Sequence, residues 1–278
     1  MQIDDIITTL TEMLKNMANG RCAIALAGSH AKGLADSDSD IDFYMLIDKP
    51  KNFLSRLFTL YKTADSISSI SMSRGFDEAP YGGVIDFIYK GIQIEVTVRT
   101  FSRMEQRVNE CLKGKFEIFP EIWTSNGYYT FVYLSELNFI KPIWDPYSIL
   151  ANYKTKLAKY PNRLRKAIIG TFWRRANTWL GNFHYDSAIK RGDYLFTAPI
   201  VMHTVLDMAQ IIFALNRVYY QGDKKLLQTL SALSYCPAQL LENLEFLLSA
   251  SSDSKILQKQ CDILRSVRDE LKLKIKEI

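Results

Sequence analysis

Two short apolar runs, Cys22–Ala27 and Phe43–Ile47, bracket the stretch that constrains this chain most. Between them stand Gly28-Ser29-His30-Ala31-Lys32-Gly33 and then Ser39-Asp40-Ile41-Asp42. The spacing predicts a buried strand, a small-residue turn and a second strand opened by two acids. Alternate residues of a strand share a face, so Asp40 and Asp42 point the same way. Two carboxylates on one face repel each other unless a cation lies between them, and hard oxygen ligands suit Mg²⁺. Glycine at 28 and 33 lets backbone N–H groups come close to a phosphate, and Ser29 adds a hydroxyl. A lone Gly-Ser would read as a plain turn, and Asp36 and Asp38 as a solvated acidic loop. The combined spacing, between two strands, points instead to a metal–nucleotide site.

G-S-x-A-x-G followed by S-D-x-D resembles the signature of the nucleotidyltransferase superfamily, in its small antibiotic-modifying branch of the aminoglycoside- or lincosamide-nucleotidyltransferase kind. The resemblance implies that the turn at Gly28 and Ser29 holds the β- and γ-phosphates of a nucleoside triphosphate. It further implies that Asp40 and Asp42 bind Mg²⁺ and that a third acid comes from a later strand. Lys32 stands where many members carry arginine, keeping the charge but losing the bidentate fork.

The third acid is sought in a hairpin. Val84–Tyr89 and Ile92–Val98 are rich in β-branched and aromatic residues and flank Lys90-Gly91. A two-residue turn there sets Tyr89 against Ile92 and Asp86 against Glu95. Ile85, Phe87, Tyr89, Ile92, Ile94, Val96 and Val98 then share an apolar face, with Asp86, Gln93, Glu95 and Thr97 on the other. Opposed carboxylates destabilise a sheet unless a cation is near. By resemblance Glu95 is the third acid, with Asp86 as the alternative.

The chain has 278 residues, 47% hydrophobic and 23% charged, the composition of a soluble globular protein with a sizeable core. No apolar run is read as a membrane span. The N-terminus lacks the basic region of a signal peptide. Cys22, Cys111, Cys236 and Cys261 are scattered, without C-x-x-C pairs, and read as reduced, mostly buried thiols of a cytoplasmic protein. A net charge of +5 suits anionic ligands such as nucleoside triphosphates. Nucleic acid stays open as a partner but is not favoured, because no Lys/Arg block or RNA module is visible.

Helical spacing marks residues 3–18, ending at Asn19-Gly20, and a helix is expected over 52–61. After Thr100 the pattern is helical over 101–113, 126–139, 147–158, 161–182, 193–218, 224–234, 237–250 and 253–276. Asp193 and Asp253 read as N-caps and Pro237 as a first-turn proline. The expected architecture is an α/β (α+β) nucleotidyltransferase domain with a mixed sheet over 1–145, then an all-α helical-bundle domain over 146–278, with the active site between them.

Tyr219-Tyr220-Gln221-Gly222-Asp223-Lys224-Lys225 resembles a segment of small-molecule nucleotidyltransferases whose lysine reaches the triphosphate; Lys224 is the better match and Lys225 the fallback, against a plain solvated turn. Glu95, Glu136 and Asp193 are candidates for the general base. His30 is either a ligand contact or a spacer. His184 and His203 lack metal partners, and Trp123, Trp144, Trp173 and Trp179 read as core. The expected activity is Mg²⁺-dependent transfer of AMP from ATP to a hydroxyl of a small, antibiotic-like acceptor, releasing pyrophosphate. The alternatives are nucleotidyl transfer to RNA, such as a tRNA end, or to a protein side chain, and non-catalytic nucleotide binding.

Overall fold

The computed structural model describes residues 3–33, 35–36, 39–121, 124–220 and 222–278. They form two compact units, Met1–Glu110 with Tyr133–Lys159, and Cys111–Val132 with Tyr160–Ile278. Residues 111–132 thus group with the second unit and 146–159 with the first.

The first unit holds, in order, α1 (Ile3–Lys15), β1 (Ala18–Leu26), α2 (Gly28–Lys32), β2 (Ile41–Pro50), α3 (Phe53–Tyr61), β3 (Ser71–Met72), β4 (Gly83–Tyr89), β5 (Ile92–Thr100) and α4 (Phe101–Leu112). Its strands make a six-stranded mixed sheet in the order β3-β4-β5-β2-β1-β8, closed at one edge by β8 (Lys141–Trp144). Only β2 and β5 run parallel; the other neighbours are antiparallel. Every second residue of β2, Phe43, Met45 and Ile47, joins Ile6, Leu10 and Leu14 of α1 in one core cluster with Ile24, Ile94, Val96 and Val98. Ala23, Ala25, Tyr44 and Leu46, on the opposite face, are buried too. Coverage on both faces explains why these strands read as continuous apolar runs.

The β4–β5 hairpin has the expected register, Tyr89 against Ile92 and Asp86 against Glu95. Lys90 and Gly91 both adopt positive φ, 53° and 78°, as a type I′ turn requires. Lysine is a poor residue for that conformation. Here the Asp65 carboxylate accepts both turn N–H groups, Lys90 N to Oδ1 and Gly91 N to Oδ2, each at 2.7 Å. A distant side chain thus offsets the local strain.

The second unit is mostly helical. A short ribbon of β6 (Ile118–Phe119) and β7 (Tyr128–Tyr129) precedes α5 (Val132–Phe139), most of which belongs to the first unit, as does α6 (Ile149–Leu157). The bundle comprises α7 (Asn162–Leu180), α8 (Phe183–Arg191), α9 (Tyr194–Asn216), α10 (Leu226–Ser231), α11 (Ala238–Glu242), α12 (Leu244–Leu247) and α13 (Ser254–Lys276). Among the described residues one helix, α9, is long and apolar enough to cross a membrane, and 72% of that stretch is buried as in a core helix.

Several expectations are corrected. The helix expected over 126–139 begins only at Val132, because Tyr128 and Tyr129 pair with Phe119 and Ile118 as a strand. The helix expected over 237–250 is two short ones. Helix α8 was not anticipated; Asn182 caps it by accepting from His184 N at 2.9 Å. Trp144 is not core: it lies 37% exposed on edge strand β8 with Lys15 Nζ 3.7 Å from its ring centre. Trp123 lies outside the described residues. Cys22, Cys111 and Cys261 are buried and Cys236 is half-buried.

Candidate active site

Parallel pairing of β2 with β5 sets Asp42 beside Glu95. Asp40 stands two residues earlier, just before β2 begins, so strand alternation turns it to the same face. One carboxylate oxygen from each of Asp40, Asp42 and Glu95 lies within 4.8 Å of the others; the two aspartates are half-buried and Glu95 is exposed. At that spacing each pair of ionised groups repels by about 1 kcal/mol in water and several-fold more where water is partly excluded. A divalent cation removes that cost, and an all-oxygen set is the donor chemistry it takes. Asp86 opposes Glu95 across the hairpin but is not part of this group. Burial, with Glu95 adding to it, pushes its carboxyl up to about 6.

Gly28–Lys32 forms a short helix with Gly33 as its left-handed C-cap, where a small-residue turn is expected. Ala27 N donates to Asp42 O at 2.8 Å, which ties the start of α2 to the acidic strand. Gly28 has φ +54°, and a Cβ there would stand 1.6 Å from Asp42 Oδ2. Only glycine fits at that approach. Ser29 Oγ and His30 Nε2 are buried and lack hydrogen-bond partners among the described residues. Polar atoms buried without partners are costly, and a ligand oxygen would satisfy them. Acids at close range, a Cβ-free cradle and two orphaned polar atoms therefore fit a cation with a phosphate-bearing ligand. Lys32 is exposed, with its Nζ 5.5 Å from the centre of the Phe139 ring.

Lys224 lies in an exposed turn of the helical unit just ahead of α10, and Lys225 precedes that helix with φ 57°. Glu136 is engaged elsewhere. Both of its oxygens accept from Arg99 Nη2, at 3.0 and 3.1 Å, and burial raises its carboxyl above the usual range against the pull of Arg99. Asp193 caps α9 by accepting from Phe196 N at 3.4 Å.

Sequence reasoning passed over a buried network in the helical unit. Asp207, 3% exposed, accepts from Arg175 Nε at 3.0 Å and Asn126 Nδ2 at 2.7 Å. Asn126 Oδ1 in turn meets His203 Nδ1 at 2.7 Å. The signal was present: one aspartate inside the apolar run Val205-Leu206-Asp207-Met208 is a buried polar group in need of partners.

Residues 6–118 match the family described as a nucleotidyltransferase domain. Residues 141–226 match a domain of unknown function, DUF4037. No curated protein matches the chain. Among solved structures, a nucleotidyltransferase-like protein from Exiguobacterium sibiricum 255-15 aligns over 98% of this chain and 77% of its own, with 9% identity and a TM-score of 0.48. The triad and the glycine cradle fall within the stretch matched by the nucleotidyltransferase domain, and the match places residues 6–118 in that domain family.

Proposed function

We propose that the chain moves AMP from ATP to a hydroxyl of a small, antibiotic-like acceptor, with Mg²⁺ held by Asp40, Asp42 and Glu95. The observation that carries the metal assignment is the convergence of three carboxylate oxygens within 4.8 Å of one another. When bound, the cation supplies positive charge to the phosphate oxygens and to the departing pyrophosphate. Gly28 lets the Asp42 carboxylate lie against the backbone at the start of α2, and Ser29 Oγ donates to a phosphate oxygen. His30 Nε2, buried beside it, is a second polar contact for the same ligand. Lys32 adds positive charge toward the triphosphate.

The acceptor hydroxyl oxygen attacks the α-phosphorus while the bond to the bridging oxygen of pyrophosphate breaks. The hydroxyl proton goes to a carboxylate within hydrogen-bond reach. Glu136 and Asp193 are poor choices, because one is paired to Arg99 and the other caps a helix. A cytoplasmic setting supplies the ATP in this reading.

The test is incubation of the full chain with ATP, Mg²⁺ and a panel of hydroxyl-bearing antibiotics, with pyrophosphate release and the adenylylated product read out. Release that depends on one acceptor and is lost in Asp42→Asn supports the proposal. Absence of metal-dependent ATP binding overturns the site assignment. Turnover only with an RNA or protein acceptor overturns the acceptor class while keeping the chemistry.

A further inference from the structure

Strand β2 carries a second acidic station, Asp48, six residues beyond Asp42 and therefore about 20 Å along the sheet. It holds Arg21 through Nη2 to Oδ1 at 2.9 Å, Nε to Oδ2 at 3.1 Å and the Arg21 backbone N–H to Oδ2 at 2.8 Å. The local backbone is shaped for this. The β1–β2 register shifts between Asn19 and Cys22, and Gly20, at φ +85°, would place a Cβ 2.9 Å from Asp48 Oδ2. A bulge of this kind re-aims a side chain. Here it lays the Arg21 guanidinium 5.1 Å over the Phe101 ring.

Arg21 and Phe101 line a cavity of about 530 Å³ with Glu105, Ile149, Tyr153 and Lys156. That volume is in the range of small-molecule sites, which join apolar walls to a few convergent polar groups. The hydrogen-bond accounting narrows the ligand. Glu105 Oε2 already accepts from the Tyr153 hydroxyl at 2.8 Å, and Oε1 from Asn109 Nδ2 at 2.9 Å. Arg21 Nη1 has no hydrogen bond among the described residues. Lys156 Nζ is held only loosely, 3.4 Å from Asn109 Oδ1 and 4.0 Å from Glu105 Oε1. The spare groups at the rim are the two cationic donors and the neutral amide of Asn152, which also lines the cavity, and the apolar walls are rings and an isoleucine.

We propose that this cavity binds a small organic monoanion with a planar apolar body. Its carboxylate or sulfonate is held by Arg21 and Lys156, and its body packs against Phe101, Tyr153 and Ile149. The site is separate from the acidic triad and does not depend on the nucleotidyl-transfer reading.

The probe is 2-naphthoate, titrated into the full chain by calorimetry and by saturation-transfer NMR. Saturable binding is expected. Lys156→Glu should weaken it about tenfold or more, the worth of a charge-assisted hydrogen bond. Asn152→Trp, which fills the cavity, should abolish it, and Asp42→Asn should leave it unchanged. The neutral analogue 2-naphthylmethanol should bind about tenfold more weakly than the acid. Absence of saturable binding, affinity unaltered in both cavity variants, or equal affinity for the alcohol would each overturn the proposal.

Discussion

A Cβ built on Gly28 falls 1.6 Å from Asp42 Oδ2, far inside the non-bonded contact distance of carbon and oxygen. The glycine and the aspartate therefore share one volume, and no side chain enters at 28 without moving the carboxylate. Gly28→Ala should lower nucleotidyl transfer by about a hundredfold, the cost of displacing a reacting group by an ångström. It should also destabilise the fold by about 1–2 kcal/mol, since alanine resists φ +54°. Steady-state kinetics with a urea melt separates the two effects, and full activity in a folded variant would contradict the cradle.

Glu95 and Asp86 face each other across the hairpin, but only Glu95 shares close oxygens with both Asp40 and Asp42. Glu95→Gln should reduce turnover by more than about a hundredfold and weaken Mg²⁺-dependent ATP binding, whereas Asp86→Asn should cost less than about tenfold. The reverse order would move the third acid to Asp86.

Asp86 also gives stability a pH signature in the absence of divalent cations. Its folded-state carboxyl titrates at about 6, above the unfolded value, so the native state holds the proton more tightly. Stability should fall as pH rises through that window, with the full penalty present above it. Asp86→Asn should accordingly be more stable than the parent at pH 8, by about 1 kcal/mol once solvent screening is allowed for, and equal to it near pH 3.5. Chemical denaturation at the two pH values decides this; a variant less stable at pH 8 would refute it.

Arg99 is 2% exposed, with its guanidinium 4.6 Å from the Tyr133 ring and its Nη2 on Glu136. Removing one partner of a buried pair leaves an uncompensated charge. Glu136→Ala should cost about 3 kcal/mol, while Glu136→Gln, which keeps a hydrogen-bond acceptor, should cost less. A urea midpoint unchanged in the alanine variant would show that the pair contributes nothing.

The acidic strand and its partner hairpin were legible because their information is local. Period-two alternation in Ile92–Val98 sets the faces, and a two-residue turn sets the register of Asp86 against Glu95. The turn itself was a harder reading. Lys90 tolerates positive φ only because Asp65, far away in sequence, accepts its N–H. Edge strand β8 was missed because four exposed residues carry no buried periodicity, and α8 because a short helix depends on its Asn182 cap.

By itself the sequence determined the elements of the chemistry: a glycine-serine stretch, two acids with a single residue between them, and a third acid on a hairpin, all expressed by spacing along single strands. Only the tertiary structure decided that β2 lies parallel to β5, which brings Glu95 to Asp42, and that Glu136 is tied to Arg99 instead of standing free. Strand order and burial depend on how distant segments share one core, and residue spacing within a segment carries no record of that.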